Sequence, residues 1–210
     1  MKLMNLFYRT YQKCCRMYFW FTHKFFFKEL GRGVYLVKPF RVDGIDGISI
    51  SEGTFFQRGV WLYCCGVDGL DACLSVGKGC NFGYNNHITS VREVIIGDYV
   101  LTANNVYISD NIHEYKDISK PVIHQPVRFK RSVAIGCGAW IGENVSIIGA
   151  SIGKNSVIGA NSVVTHDIPD YCVAVGAPAV VIRQFDLQLQ EWVDKRDAVY
   201  SINHTGKVNK

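Results

Sequence analysis

The chain has 210 residues, enough for one domain with a buried core, and it carries a net charge of +5. This charge is modest and no cluster of Lys and Arg is dense, so we expect no nucleic-acid partner. The eight cysteines show no Cys-x-x-Cys spacing. With no secretion signal in the sequence, we expect reduced thiols in a cytoplasmic protein.

Residues 1–32 form a first segment, rich in aromatic and basic side chains, that we expect to be helical. Its longest apolar run, 17–21, is far shorter than the roughly 20 residues needed to span a membrane. The helix can pack over the first coil of the next segment or on a neighbouring subunit, because a bare sheet edge needs a cover. Alternatively, residues 1–30 can touch the inner face of a membrane. The two roles can coexist.

Residues 33–183 form the second segment, in which the sequence repeats every six residues, most clearly over 133–182. This period fits neither a helix nor a flat strand, and it predicts an all-β fold, a parallel β-helix with three short strands per coil. We expect the repeated glycines, for example Gly142, at turns where a side chain would crowd or strain the chain. One residue is missing over 147–151, which predicts a tighter corner there. The aliphatic residues expected to point inward are Ile135, Ile141, Ile147, Ile152, Ile158 and Val164.

The stretch 109–131 interrupts this period. It is polar and charged and contains Pro121 and Pro126, so we expect an extended loop thrown out of one coil, of the kind that usually carries function. After the repeats, residues 184–198 have the composition of a helix closing the solenoid. The third segment, 184–210, is therefore predicted to be a C-terminal helix and a tail.

His113 is the strongest candidate for chemistry, because it lies where the repeat fails. A neutral imidazole can take a proton from a hydroxyl near pH 7, and Asp110 or Glu114 could orient the ring. Among the other histidines, His87 lies in a repeat block and His124 lies in the loop. No two histidines have the close spacing of a metal site, so we expect no metal.

Three motifs give this sequence a family resemblance. They are the loop motif Ser109-Asp-Asn-Ile-His-Glu-Tyr, the block Ala139-Trp-Ile-Gly-Glu-Asn-Val and the tail Val175-Gly-Ala-Pro-Ala. With them, the chain resembles the hexapeptide-repeat acyltransferases, in the branch of galactoside, maltose and polysaccharide O-acetyltransferases. The resemblance implies a left-handed coil, which periodicity alone does not tell, and a homotrimer with its active sites in clefts between adjacent subunits. It also implies acetyl-CoA as the donor and a saccharide hydroxyl as the acceptor, in surface polysaccharide biosynthesis.

The resemblance also implies roles for individual residues. His113 takes the place of the catalytic base, with Asp110 beside it and Asn111 where many relatives have a further histidine. His166 stands where a lysine is common and Val180 where a second basic residue is common, so the loop residues Arg128, Lys130 or Arg131 are an alternative source of phosphate contacts. The residues implied at the acetyl-CoA site are Trp140, Glu143 (through its backbone), Ala160, Thr165, His166 and Arg183.

Other activities stay open at this point. An N-acetyltransferase acting on an amino sugar would use the same fold and donor. A metal-dependent hydratase resembling the carbonic anhydrase branch would need three histidines, and His87, His113 and His124 do not reproduce the spacing of that branch. A solenoid that serves only as a scaffold would bind no acetyl-CoA.

Overall fold

The computed structural model describes residues 2–195, although the side chains of residues 2–9 and 12 are not described. It contains one α-helix, α1, over Lys2–His23, and two 3-10 turns at Ile45–Gly47 and Val122–His124. The strands in chain order are β1 Glu29–Leu30, β2 Tyr35–Leu36, β3 Arg41–Asp43, β4 Ile48–Ile50, β5 Phe55–Phe56, β6 Trp61–Cys64, β7 Cys73–Val76, β8 Asn81–Phe82, β9 His87–Ser90, β10 Glu93–Ile96, β11 Leu101–Thr102, β12 Tyr107–Ser109, β13 Asn111–His113, β14 Val127–Phe129, β15 Val133–Ile135, β16 Trp140–Ile141, β17 Ser146–Ile148, β18 Val157–Ile158, β19 Val163–Val164, β20 Cys172–Val175, β21 Val180–Asp186 and β22 Glu191–Asp194.

The strands form three parallel faces that the chain visits in turn. The first face runs β1-β4-β7-β10-β15, the second β2-β5-β8-β11-β16-β18-β20, and the third β3-β6-β9-β12-β17-β19. Up to β12, each face takes every third strand, so three strands complete one coil. The predicted three-strand coil and the all-β class therefore agree with the observed topology, although β1, which pairs with β4, lies slightly before residue 33.

Stacked aliphatic columns fill the interior. The six residues expected to point inward are all buried, with exposures of 0 to 2%: Ile135, Ile141, Ile147, Ile152, Ile158 and Val164. Towards the first coils the columns become aromatic, and Phe56 stacks on Phe82 with ring centroids 4.3 Å apart. Each inward side chain therefore packs on its counterparts one coil above and below, which excludes water from the whole length of the prism.

The corners between faces explain the small residues of the repeat. A Cβ on Gly142 would lie 2.7 Å from the backbone nitrogen of Ala160 in the next coil, so close stacking requires glycine there. The corner between the second and third faces uses asparagine in the left-handed region instead, which asparagine tolerates better than most residues. Amide hydrogen bonds join Asn105 to Asn144 at 3.2 Å and Asn144 to Asn161 at 3.1 Å.

Helix α1 covers the start of the solenoid. The Trp20 indole donates a hydrogen bond to the Leu30 carbonyl at 2.8 Å, and Phe19 packs edge-on against Tyr35 at 5.7 Å between centroids. The predicted packing over the first coil is thus present. No helix within residues 2–195 is long and apolar enough to cross a bilayer.

The predicted C-terminal helix is wrong over its described part. Residues 180–194 form β21 and β22, which extend the second face with antiparallel strands. The Asp186 carboxylate accepts hydrogen bonds from the backbone N–H groups of Gln188 and Leu189 and so builds a turn, while Phe185 packs on Trp192 across the two strands. These contacts favour a hairpin over a helix. The rest of the predicted helix and tail, from 196 onward, lies outside the described residues.

Candidate active site

The interruption of the repeat is an excursion built on a short antiparallel pair. Strand β13 leaves the corner after β12 and pairs with β14, so that His113 lies opposite Val127. The Glu114 N–H continues the ladder with a 2.9 Å hydrogen bond to the Pro126 carbonyl. The loop therefore presents His113 from an ordered two-stranded ribbon.

Asp110 ties this ribbon to the solenoid. Its fully buried carboxylate accepts hydrogen bonds from the backbone N–H groups of Val91, Arg92 and Glu93 at 2.8 to 3.0 Å. The Asn111 side chain donates to Asp110 at 3.0 Å and to Thr89 at 3.2 Å. A buried charge is tolerated when such donors surround it, so Asp110 and Asn111 fix the place where the excursion begins.

Glu114 holds the excursion together as well. Its carboxylate accepts hydrogen bonds from the backbone N–H groups of Tyr115 and Lys116 and pairs with Arg128 at 3.1 Å. The Tyr115 N–H, followed by Lys116 and Arg128, lowers the pKa of Glu114. Within residues 2–195, no hydrogen bond joins the His113 imidazole to either candidate orienting carboxylate, Asp110 or Glu114. The orienting role of Asp110 or Glu114 stays a prediction.

Gln125 is a structural residue of the loop that the sequence analysis did not single out. Its buried amide donates to the carbonyls of Asp117 and Lys120 at 2.9 and 3.0 Å and accepts from the Asp117 N–H. A single side chain thus pins the tip of the excursion. The sequence signal for this role was the position of Gln125 between Pro121 and Pro126, because a polar side chain in a turn can form hydrogen bonds with the backbone groups of that turn.

A cavity of about 350 Å³ lies between the third face and the ribbon. Its floor is the outward side of the third face, and His113, Asn111 and Val127 line it from the ribbon. Of the sequence-predicted site residues, the structure places His113 and Asn111 in this cavity, whereas Asp110 lies buried at its base as an anchor. The aromatic lining residues that the sequence did not reveal are Trp61, Tyr63 and Tyr107.

Three of the lining residues form a column across successive coils. Trp61, His87 and Tyr107 are register partners on β6, β9 and β12. The His87 imidazole stacks on the Trp61 indole at 4.1 Å and 3°, and its centroid lies 5.1 Å from that of Tyr107. Asp43 accepts a hydrogen bond from the Trp61 indole at 3.1 Å, which fixes the ring. The column offers a rigid aromatic wall that presents the edges of the stacked Trp61 and His87 rings, next to the Tyr107 ring, which is tilted by 48° from His87.

His87 is half-buried in this column, and its burial lowers the pKa of the imidazole below the ordinary value of 6.5. Desolvation disfavours the charged form of a histidine. The His87 ring is therefore neutral near pH 7, next to the cavity that His113 lines.

The residues implied at the donor site divide between two corners and one face. Trp140 is half-exposed on β16, and Glu143 and Ala160 follow at the corner between the second and third faces, where the Glu143 carbonyl accepts from Asn161 at 2.8 Å. Thr165 and His166 lie at the opposite end of the third face, joined to each other at 3.0 Å. Arg183 lies on β21, beside Val173. In a single chain these residues line the last coils without forming one pocket.

The three basic residues at the end of the excursion contact the protein itself. Arg128 pairs with Glu114, Lys130 donates to the Ile148 carbonyl at 2.9 Å, and the Arg131 guanidinium pairs with Asp167. Lys130 thus lies on Gly149, within the stretch 147–151 where the repeat is one residue short. The excursion, the short corner and the His166 corner form one continuous edge of the prism.

The described part of the chain contains no preformed set of metal ligands. No group of three His, Cys, Asp or Glu side chains there is arranged to hold an ion. His87 lies in the aromatic column, and His124 lies in the 3-10 turn of the excursion.

Comparison with known sequences places this chain among acetyltransferases. Residues 132–166 match the family model described as the hexapeptide repeat of succinyl-transferase. A relative named "Putative lipopolysaccharide biosynthesis O-acetyl transferase WbbJ", from Escherichia coli, is 37% identical over 158 residues, which are 69% of this chain and 76% of that protein. "Probable acetyltransferase Rv3034c", from Mycobacterium tuberculosis, is 40% identical over 118 residues. They are 56% of this chain but only 39% of that longer protein.

Solved structures share the fold. AntD, an N-acyltransferase from Bacillus cereus crystallised with dTDP and 3-hydroxybutyryl-CoA, superposes with a TM-score of 0.64. The match covers 87% of this chain and 92% of that one, at 18% sequence identity. At this identity the likeness concerns the architecture alone.

Because His87 is neutral in the fold, its replacement should change how stability depends on pH. Unfolded His87 titrates near 6.5, and the folded pKa lies lower. Unfolding therefore takes up a proton below about pH 6.5, so the stability that depends on neutral His87 is present above that pH and is lost as the pH falls. We expect the free energy of unfolding to fall less steeply between about pH 7 and 5 in His87→Gln, measured by urea unfolding. His124→Gln is the control, and equal slopes for His87→Gln and the wild type would contradict the assignment.

Proposed function

The chain belongs to the hexapeptide-repeat acyltransferase family, and we propose that it transfers an acetyl group from acetyl-CoA to a hydroxyl of a saccharide. The observation that carries the proposal is the cavity in which His113 faces an aromatic wall. The relative named as a lipopolysaccharide biosynthesis O-acetyl transferase supports an acceptor of the surface polysaccharide class.

In the proposed mechanism His113 is the general base. Its neutral imidazole takes the proton of the acceptor hydroxyl while that oxygen attacks the thioester carbon of acetyl-CoA. The tetrahedral intermediate collapses to the acetyl ester and the CoA thiolate, which receives the proton from His113. No acyl-enzyme forms, and a backbone N–H would stabilise the oxyanion. Asp110 and Asn111 serve as positioning residues, because they fix the ribbon that carries His113.

The acceptor ring is proposed to lie on the column of Trp61, His87 and Tyr107. The C–H groups of a pyranose are apolar and pack on aromatic side chains, while the hydroxyls need a few placed polar groups. The cavity offers both, since its aromatic floor adjoins Asn111 and His113.

The donor is proposed to bind along the last coils, at Trp140, Glu143, Ala160, Thr165, His166 and Arg183. In one chain these residues do not close a pocket around His113, so a partner has to complete the site. We propose a homotrimer of left-handed coils, with acetyl-CoA lying in each cleft between adjacent subunits. The half-exposed indole of Trp140 would then be one wall of a cleft.

N-acetylation of an amino sugar is the second candidate, favoured by the architecture shared with the N-acyltransferase AntD. The same base and donor would serve, with an amine in place of the hydroxyl. We place the enzyme in the cytoplasm, peripheral to the inner face of the membrane through residues 1–30.

The proposed reaction is tested by offering acetyl-CoA and a panel of saccharides to the purified protein and locating the new group by mass spectrometry. We expect an ester on one ring hydroxyl. An amide would establish the second candidate instead. Absence of acetyl-CoA binding in calorimetry would leave only the scaffold role, and stoichiometric zinc or iron in the protein would overturn the proposal in favour of a hydratase.

His113→Ala should lower kcat by about 10² to 10⁴-fold, the usual contribution of a general base, because the acceptor hydroxyl loses the group proposed to take its proton. The dissociation constant of acetyl-CoA should change little, since the imidazole acts on the acceptor. His124→Ala, in the same excursion, is the matched control and should keep normal kinetics. Near-normal turnover of His113→Ala would remove His113 as the base.

Trp61→Ala should raise the KM for the saccharide by about tenfold, because the acceptor loses apolar contact with the indole that lines the cavity. The KM for acetyl-CoA should stay unchanged, and Trp61→Phe should restore most of the affinity. Trp192→Ala, a half-exposed tryptophan on β22, is the control. An equal rise in both KM values would argue for general damage to the fold rather than an acceptor subsite.

A further inference from the structure

Helix α1 keeps an apolar face that the solenoid does not cover. Residues near 15, 16, 19 and 20 point towards the first coils. The opposite side bears Met17, Tyr18 and Phe21, and Phe25 follows the helix; all four are exposed by 65% or more. Isolated exposed apolar residues are ordinary, but a continuous aromatic stripe marks an interaction surface.

The same segment is purely cationic. Residues 1–28 contain six Lys and Arg side chains and no Asp or Glu. Lys24 lies over the rings of Trp20 and Phe25, at 4.5 and 4.7 Å from their centroids. Cations interleaved with aromatic rings, on a helix too polar to span a bilayer, suit the boundary between lipid headgroups and acyl chains.

A groove lies beside this stripe, where α1 meets the first coil. It has a volume of about 490 Å³ and is lined by Lys13, Arg16, Met17, Trp20, Arg32 and Gly33. None of the ion pairs among the described side chains involves its three cations. The Nε atom of Arg16 is buried and has no hydrogen-bond partner within the described part of the chain.

An unpaired buried guanidinium nitrogen is costly and calls for an acceptor. The groove offers an anion three positive groups together with apolar walls from Met17 and Trp20. A phosphate that carries a hydrocarbon chain satisfies both, because the phosphate pairs with the cations while the chain follows the walls towards the exposed stripe.

We propose that this groove binds the phosphate of an anionic phospholipid, and that α1 thereby docks the enzyme on the membrane surface. The proposal rests on the membrane contact proposed above and is independent of the acetyl-transfer chemistry. The groove lies at the corner between the first and second faces, where Arg32 and Gly33 join β1 to β2, whereas the His113 cavity lies on the third face, so docking leaves the cavity open to an acceptor held at the same membrane.

The test is co-sedimentation of the full chain with two kinds of vesicle, phosphatidylcholine alone and an equal mixture with phosphatidylglycerol. We expect tight binding to the mixture only.

Arg16→Gln/Arg32→Gln should weaken binding to the mixed vesicles by about 30-fold, as the loss of two cations facing an anionic surface does. Lys38→Gln/Arg58→Gln removes two exposed cations outside the groove and is the matched control. Arg32→Glu alone, at an exposed position, should also weaken binding while leaving the Arg16 side chain in place.

Equal binding of the wild type to both vesicles, or equal losses in the groove and control variants, would overturn the proposal. A soluble probe distinguishes the source of the phosphate: if glycerol 3-phosphate binds in calorimetry and the vesicles do not, the lipid assignment is wrong. Light scattering of Phe21→Ser/Phe25→Ser tests whether a second copy of the chain binds the stripe instead. A change in subunit number would make the stripe an interface between copies and overturn the proposal. Acetyl transfer to a soluble saccharide should be unchanged in the groove variants, so a failed docking test is separable from a failed enzyme assay.

Discussion

Every coil of this protein has to fit against the coil before it and the coil after it. This constraint acts on each position of the prism. It demands a small residue where Gly142 meets Ala160, an asparagine where amides join from coil to coil, and an aliphatic side chain wherever the interior column continues. A strand residue on a face is paired on both sides, so extra residues can enter the structure only at a corner, where no ladder is broken.

The excursion follows from that constraint, and it is tied down at both ends. The Asp110 carboxylate accepts hydrogen bonds from three backbone N–H groups of the preceding coil. Where the excursion returns, Lys130 donates to the Ile148 carbonyl and Arg131 pairs with Asp167, at the corners of the next two coils. The loop therefore behaves as part of the scaffold. His113 is held over the third face at a defined height, and proton transfer benefits from such preorganisation because little reorientation is needed at the moment of reaction.

The solenoid also places the cavity, the contact with α1 and the residues proposed for the donor in different regions. Aromatic rings on the outward side of the third face build the cavity proposed for the acceptor, while α1 rests against Tyr35 and Phe55 of the second face. The late coils carry the residues proposed for the donor. Because each coil packs on the next, these three regions keep fixed relative positions, which suits the proposed transfer from a soluble donor to an acceptor near a membrane surface.

The sequence by itself determined the repeat, the inward columns and the interruption that carries His113, because each is a local pattern repeated along the chain. It did not determine the C-terminal hairpin, since Phe185 and Trp192 meet only across two strands. The composition of this segment therefore led to the wrong prediction of a helix. The aromatic wall was also invisible: Trp61, His87 and Tyr107 lie 26 and 20 residues apart along the chain and come together only through the register of stacked coils. Likewise only the tertiary structure showed that the Asp110 carboxylate accepts hydrogen bonds from the backbone N–H groups at 91–93, because a buried carboxylate takes whichever donors the fold brings within reach.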